Sequence, residues 1–480
     1  MHQLEDFILL QNVSQRLILE RLNSTGNGIV FLVDQNQILI GSFSDGDARR
    51  MYLMGVDLES QIDWSSRAKP FSLPIDTSPS EIFEALRLGY RYIPLLDDDG
   101  KVVDVAGRNQ IRTIPIAAPD LGEMELANLI ECFDSGWISS QGPFITEFED
   151  LFAGVTQTKY ALAVSNGTVA IQLALISCGV VAGDEVIVPD FTFGATINAV
   201  IAVGATPILV DVELETWTID LNDLKRKMTP RTKAIIPVHI YGQPARCREI
   251  EEIALEYGLI TIGDAAEALG AQYYGRPIGN QFDAQTFSFF ANKQITTGEG
   301  GMIVFKSQKH YELARVLRDH GMSKSKRYWH DFAGFNYRMT NMQAAIGVAQ
   351  IKRLDEIQLR RLQIFQLYER FLGNSESISF LPKLDWSRNS NWLFTIRLIG
   401  ENQNARDDLI RFMDGRGFNL RPGFSALHLM PPYSRFASGT FENSLTLTES
   451  VVSLPTFNKI SEEDIEDICE QLLSFVCFKN

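Results

Sequence analysis

The sequence predicts an α/β fold with a mostly parallel central sheet, preceded by a smaller α+β region built from a repeated unit. Two observations carry this. From about residue 140, short apolar stretches alternate with stretches of helical spacing, the pattern of a parallel sheet covered on both faces. Before residue 115, one strand–turn–strand pattern occurs twice. The 480 residues, 45% hydrophobic and 22% charged, allow a large core and about two to four domains.

In the repeated region, "GIVFLVDQNQILIGSFSDGD" (Gly28–Asp47) matches "RYIPLLDDDGKVVDVAGRNQ" (Arg91–Gln110). Each copy has an apolar strand, an Asp-containing turn and a second apolar strand. Each follows a helical spacing, Leu17, Ile18, Arg21 and Leu22 in one and Ile82, Phe83 and Leu86 in the other. One such unit cannot bury its own apolar face, so the two are expected to pack together. Residues 1–112 resemble a tandem pair of cystathionine-β-synthase (CBS) domains. The resemblance implies a regulatory purine-nucleotide site in "SFSDGDARR", with Ser44 on phosphate and Asp47 on ribose. In the second copy Gly107 and Gln110 stand in those places, so at most one such site is intact. A purely structural or dimerising module is the alternative, because Asp-Gly is also a common turn. Residues 113–122, with two prolines and small residues, read as a linker.

Beyond the linker the strands follow in order. "KYALAVSN" precedes the helical "GTVAIQLALISCGV", and "DEVIVPD" precedes "FTFGATINAVIAVGA". Then come "TPILVDV", "TKAIIPVHIYG", "LITIGDAAEA" and "DAQTFSFF". In such sheets ligands sit beyond the carboxyl ends of strands, and the candidate residues cluster there. "SNGTVA" ends a strand and opens a helix, where free N–H groups and the helix dipole can seat a phosphate. Gly167 would let the backbone approach and Thr168 would add a hydroxyl, although the same pattern fits a plain helix cap. Asp264 ends a buried strand and can hold a ring nitrogen protonated, or serve only as an N-cap. Phe193 can stack on a flat ring, or pack in the core.

In "FSFFANKQITTGEGG" (Phe287–Gly301), Lys293 is a single cation amid aromatic residues, small residues and glycines. Burying an unpaired ammonium is costly, but an amine that must lose a proton and attack a carbonyl belongs in such surroundings. Ser288 ends the strand before it. Taken together, these parts supply a Schiff-base amine, a ring-nitrogen partner, a stacking face and a phosphate seat. Those are what pyridoxal 5'-phosphate requires of a protein.

Residues from about 115 to 480 resemble sugar aminotransferases of the DegT/DnrJ/EryC1/StrS family. The resemblance runs through "SGWISSQGPFITEFE", "VSNGTVA", "GDEVIVPDFTFGAT", "GDAAEALGA", "SFFANKQITTGEGGM" and "GFNYRMTNMQAAIGVAQ". It is strongest to the GDP-perosamine synthase branch. It implies a PLP-dependent transferase fold of type I (aspartate-aminotransferase-like), with a large domain over 123–345 and a small one over 346–480. By position it implies that Lys293 bonds the cofactor, Asp264 partners its pyridine nitrogen, and Glu267 lies near its phenolic oxygen. Phe193 would stack on the ring, and Gly167, Thr168 and Ser288 would contact its phosphate. Asn336 would reach the phosphate from a neighbouring subunit, implying a homodimer, and Arg338 would contact substrate. The implied reaction takes an amino group from L-glutamate to a nucleotide-linked 4-keto-6-deoxy sugar, GDP-4-keto-6-deoxy-mannose first. UDP- or dTDP-linked keto sugars, or a nucleotide-sensing protein with an inactive aminotransferase fold, are the alternatives. Lysine rather than histidine at 293 favours transamination over the dehydration of a related branch. Phe193 stands where the GDP-perosamine synthase branch usually has Tyr, and the CBS pair is not part of the usual enzyme.

The net charge of -16 and pI near 5.0 argue against a general nucleic-acid binder. Cys132, Cys178, Cys247, Cys469 and Cys477 are scattered without a CxxC pair, which reads as reduced thiols and no metal site. No signal peptide or apolar run of spanning length is found, and a cytoplasmic location is expected. His239 reads as a structural residue near the cofactor. His330 and His428 are weaker candidates to line the sugar site.

Overall fold

The computed structural model describes residues 4–62, 69–107, 113–323 and 325–478. The chain divides into two compact units, Met1–Ile114 with Arg411–Asn419, and Pro115–Ile410 with Leu420–Asn480.

The smaller unit contains two three-stranded sheets of the same topology. In the first, Ile8–Leu10 runs parallel to Ile29–Val33, which is antiparallel to Leu39–Ser44. In the second, Leu73–Pro74, Tyr92–Leu96 and Val102–Gly107 repeat that order and those senses. A helix joins the first two strands of each copy, Gln15–Thr25 in one and Pro79–Arg87 in the other. The two sheets meet turn to turn, where Leu39 N donates to Gly100 O and Val102 N to Gln37 O. Phe31, Val33, Leu39, Val102 and Val105 form one shared apolar cluster across them. Gln110, the second-copy counterpart of Asp47, lies outside the described residues.

The larger unit is built on a seven-stranded sheet. Its strands are β1 (Tyr160–Val164), β2 (Glu185–Pro189), β3 (Thr206–Val210), β4 (Thr232–Ile235), β5 (Ile260–Asp264), β6 (Ala284–Ser288) and β7 (Gly301–Phe305). The spatial order is β1-β7-β6-β5-β4-β2-β3. Strand β7 is antiparallel to both neighbours, and every other adjacent pair is parallel. Alternation along the strands splits the apolar residues between two faces. Leu162, Val164, Val186, Val188, Ile303 and Phe305 enter one core, while Ala161, Ala163, Ile187, Met302 and Val304 enter the other. Helix Gly167–Cys178 is apolar nearly all round because it is covered on almost every side.

After the sheet, helix Asn341–Lys352 packs on helix Glu123–Ser135 through bonds from Asn128 Nδ2 to Ala345 O and from Gln350 Nε2 to Glu125 Oε1. That helix runs across the 345/346 boundary expected from the sequence and ends at Lys352. A four-stranded antiparallel sheet follows, formed by Ile378–Phe380, Phe394–Leu398, Val451–Leu454 and Arg421–Pro422. The long helices Leu354–Leu372 and Glu462–Phe478 belong to the same part of the chain.

Candidate active site

Strands β5 and β6 lie side by side and end at Asp264 and Ser288. The chain then loops back into antiparallel β7, and Lys293 sits on that loop. The loop is fixed by its own backbone: Lys293 N donates to Phe290 O, Thr297 N to Phe289 O, and Thr296 Oγ1 to Phe289 O. Lys293 Nζ lies 3.7 Å from Glu267 Oε1 and 3.9 Å from the centre of the Trp392 ring. Burial pushes the Lys293 amine below its ordinary value, against the pull of Glu267 and Asp264. Burial likewise raises the Glu267 carboxyl to about 7, with Lys293 and the Tyr241 N–H opposing. Burial thus brings the proton affinities of the amine and the carboxyl closer together.

Asp264 is raised above the usual carboxylate range, burial being the main cause. Its Oδ2 accepts from Thr196 Oγ1 at 2.7 Å and its Oδ1 from Ala266 N at 3.1 Å. Thr196 is fully buried on helix Ala195–Ala202, which follows β2. Among the described residues Asp264 makes no ion pair, so a cationic ring nitrogen would suit it.

The phosphate-seat residues come together. Helix Gly167–Cys178 starts with Asn166 Oδ1 accepting from Val169 N. A Cβ on Gly167 would stand 2.9 Å from Ser288 Cβ, so only glycine lets this helix start approach the end of β6. Thr168 is exposed at the same helix start. Phe193 is 62% exposed and touches Phe424 at 5.9 Å between ring centres, so it offers a face rather than filling the core. A proton-losing lysine, a buried carboxylate, an open aromatic face and a glycine helix start fit the needs of pyridoxal phosphate.

Asn336 and Arg338 form a separate group. Arg338 pairs with Asp319 at 2.9 Å, donates from Nε to Asn336 Oδ1 at 3.1 Å, and lies 3.3 Å from His320 Nε2. This segment lies along the end of β1, where Ser165 N donates to Tyr337 O. No described contact joins it to Lys293, Asp264 or Glu267. In the smaller unit, Ser44 caps helix Asp45–Leu53 and Asp47 completes the capping box: Ser44 N donates to Asp47 Oδ2 and Asp47 N to Ser44 Oγ. Arg50 donates to the other oxygen of Asp47. This spacing therefore also meets an internal need.

Three site residues escape the sequence reading: Thr196, Tyr241 and Trp392. Tyr241 N donates to Glu267 Oε2 at 2.7 Å. His239 is fully buried, with Nδ1 accepting from Ala245 N, and burial lowers it to about 4. His428 Nδ1 lies 2.7 Å from buried Asp190, and His330 bonds to His320 O on an exposed loop. Cys132, Cys178, Cys247 and Cys469 are buried and free. No helix among the described residues is long and apolar enough to cross a membrane.

Known proteins resemble this chain over most of its length. The model of the DegT/DnrJ/EryC1/StrS aminotransferase family matches residues 119–473. The GDP-perosamine synthase of Caulobacter vibrioides is 43% identical over 360 residues, spanning 75% of this chain and 97% of that protein. The GDP-perosamine synthase of Vibrio cholerae is 39% identical over 368 residues, spanning 76% and 98%. Among solved structures, the PLP form of Spr1654 from Streptococcus pneumoniae aligns with a TM-score of 0.72 at 28% identity, covering 76% of this chain and 98% of that one. With its sheet topology, its lysine site and a family match over most of its length, the chain belongs to the DegT/DnrJ/EryC1/StrS aminotransferase family.

Proposed function

We propose that the chain is a pyridoxal-phosphate-dependent sugar aminotransferase that moves an amino group from L-glutamate to a nucleotide-linked 4-keto-6-deoxy sugar, GDP-4-keto-6-deoxy-mannose first. The observation that carries this reading is the buried trio of Lys293, Glu267 and Asp264 at the ends of β5 and β6. The choice of GDP sugar rests on the two GDP-perosamine synthases named above. When bound, the cofactor supplies an electron sink. Lys293 Nζ gives the amine that holds it, and carries the proton to and from the carbon of the amino acid. Asp264 keeps the ring nitrogen protonated, oriented by Thr196. Gly167, Thr168 and Ser288 seat the phosphate, and Phe193 covers the ring. Asn336 acts on a neighbouring subunit's phosphate and Arg338 on substrate. A homodimer is supported by the apolar residues Leu126, Ile130 and Phe133, which stay exposed at helical spacing on helix Glu123–Ser135, and by exposed Trp137 just beyond it.

Residues 1–112 are read as a CBS pair that senses a purine nucleotide through Ser44 and Asp47. Support comes from the twofold repeat of one topology. The test of the main reading is mass spectrometry of the full chain incubated with pyridoxal phosphate, L-glutamate and GDP-4-keto-6-deoxy-mannose. A GDP-linked amino sugar that is absent with Lys293→Ala is expected. A glutamate-induced absorbance change without product would move the substrate to a UDP- or dTDP-linked sugar. No absorbance change would overturn the reading.

A further inference from the structure

We propose that Trp392 is a positioning residue for Lys293: its indole face and the Glu267 carboxylate form a rest site for the ε-ammonium whenever the amine carries no bond to a cofactor. The inference rests on the reading of Lys293 as the cofactor lysine. The ring centre lies 3.9 Å from Nζ, within the range where an ammonium is attracted to the negative face of an indole. Trp392 is 4% exposed, so little water competes for the cation.

The ring is held there by several independent bonds. Trp392 Nε1 donates to Asn292 O at 2.8 Å, the neighbour of Lys293 in the chain. Its carbonyl accepts from buried Arg361, which also bonds to Thr456 O. Its face stacks on Tyr241, whose N–H holds Glu267. The residues just before it tie down the rest of the site. Asn389 Nδ2 donates to Tyr241 O, Ser390 Oγ donates to Glu267 O at 2.6 Å, and Gln294 donates to Ser390 O. Residues 389–392 are thus a strap that fixes the lysine loop, Glu267 and Tyr241 against one another, with the indole as its end plate. The charged groups acting on Lys293 are Glu267 and Asp264. The indole adds a third attraction for the ammonium form without adding a charge.

The test is the pH dependence of Lys293 acetylation by acetic anhydride, read by peptide mass spectrometry on the cofactor-free full chain. Wild type is compared with Trp392→Phe and Trp392→Leu. The expected midpoints fall in the order wild type, Phe, Leu, with a drop of about one pH unit, or tenfold in amine reactivity, for Leu. A merely structural role would change the melting temperature without ordering the midpoints by aromatic character. Equal midpoints in the three proteins, or a Phe variant below Leu, would overturn the proposal. Should Trp392→Leu not fold, the wild-type and Phe midpoints decide: a lower Phe midpoint supports the cradle, and an equal one refutes it. The labelling involves neither cofactor nor sugar, so its result is independent of whether the wild type transfers amino groups.

Discussion

Thr196→Val is the sharpest test of how Asp264 is set. The substitution keeps the shape of a fully buried side chain and removes only the hydroxyl that donates to Asp264 Oδ2 at 2.7 Å. An unpaired buried carboxylate oxygen costs about 1.5–3 kcal/mol, equivalent to a rise of about one to two units in the carboxyl's pKa. Asp264 already sits above its ordinary value because of burial, so the variant moves it further the same way. An acid raised in the folded state loses stability as pH climbs from its unfolded value through its folded one. The deficit of the variant is therefore full above the carboxyl's folded-state value and shrinks toward acid, as the carboxyl protonates in both proteins. Urea midpoints of the cofactor-free chain at pH 8 and pH 5 measure it. Stopped-flow absorbance of the loaded enzyme with L-glutamate should show about tenfold or greater slowing of the first half-reaction, with little change in the glutamate concentration dependence. Identical urea midpoints at pH 8 together with an unchanged half-reaction would refute the role given to Thr196.

Four further outcomes are expected. Lys293→Ala abolishes amino transfer, read as loss of amino-sugar product. Glu267→Gln flattens the stability profile between pH 4.5 and about 7: the wild type loses up to about 3 kcal/mol as pH rises through that window, whereas the amide has no proton to lose. Gly242→Ala destabilises the fold by about 2 kcal/mol or more in urea, since Gly242 has φ +82° and a Cβ there would meet Ser390 Oγ at 2.1 Å. Asp47→Ala weakens purine-nucleotide binding in calorimetry, and with it removes part of a capping box, at a cost of about 1 kcal/mol. No nucleotide bound by the wild type would remove the sensing role from the smaller unit.

The strand ends were legible because the apolar runs stop at polar candidate residues, as at Asp264 and Ser288. Lys293 was legible because an isolated cation in an apolar, glycine-flanked run has few structural uses. Thr196 looked like any residue of an apolar helix; its only signal is a polar side chain which, with Asn198, interrupts the mostly apolar "GATINAVIAVGA". Trp392 had no local signal, because it meets the loop across a separation of 100 residues and long-range packing leaves no spacing to read. Ser44 and Asp47 show the converse. A Ser and an Asp three apart at a helix start is a ligand pattern and a capping pattern at once, and the bonds between them serve the second. A boundary near 345/346 has no local mark to read, since helix Asn341–Lys352 is followed directly by helix Leu354–Leu372, without the Gly or Pro that marks a break.

The antiparallel pairing of β7 with β6 has a consequence for the order in which the site is assembled. The loop carrying Lys293 closes where Ser288 meets Gly301, a short span of chain. The indole that covers it closes a span of 100 residues. Loop-closure entropy makes the longer closure costlier by about 2 kcal/mol. The hairpin thus gathers Lys293 and Ser288 early, while the cover arrives only after the strap has been brought across. A chain emerging from the ribosome would present an uncovered lysine and an intact sheet end well before Trp392 is made, which would give cofactor capture a window during synthesis.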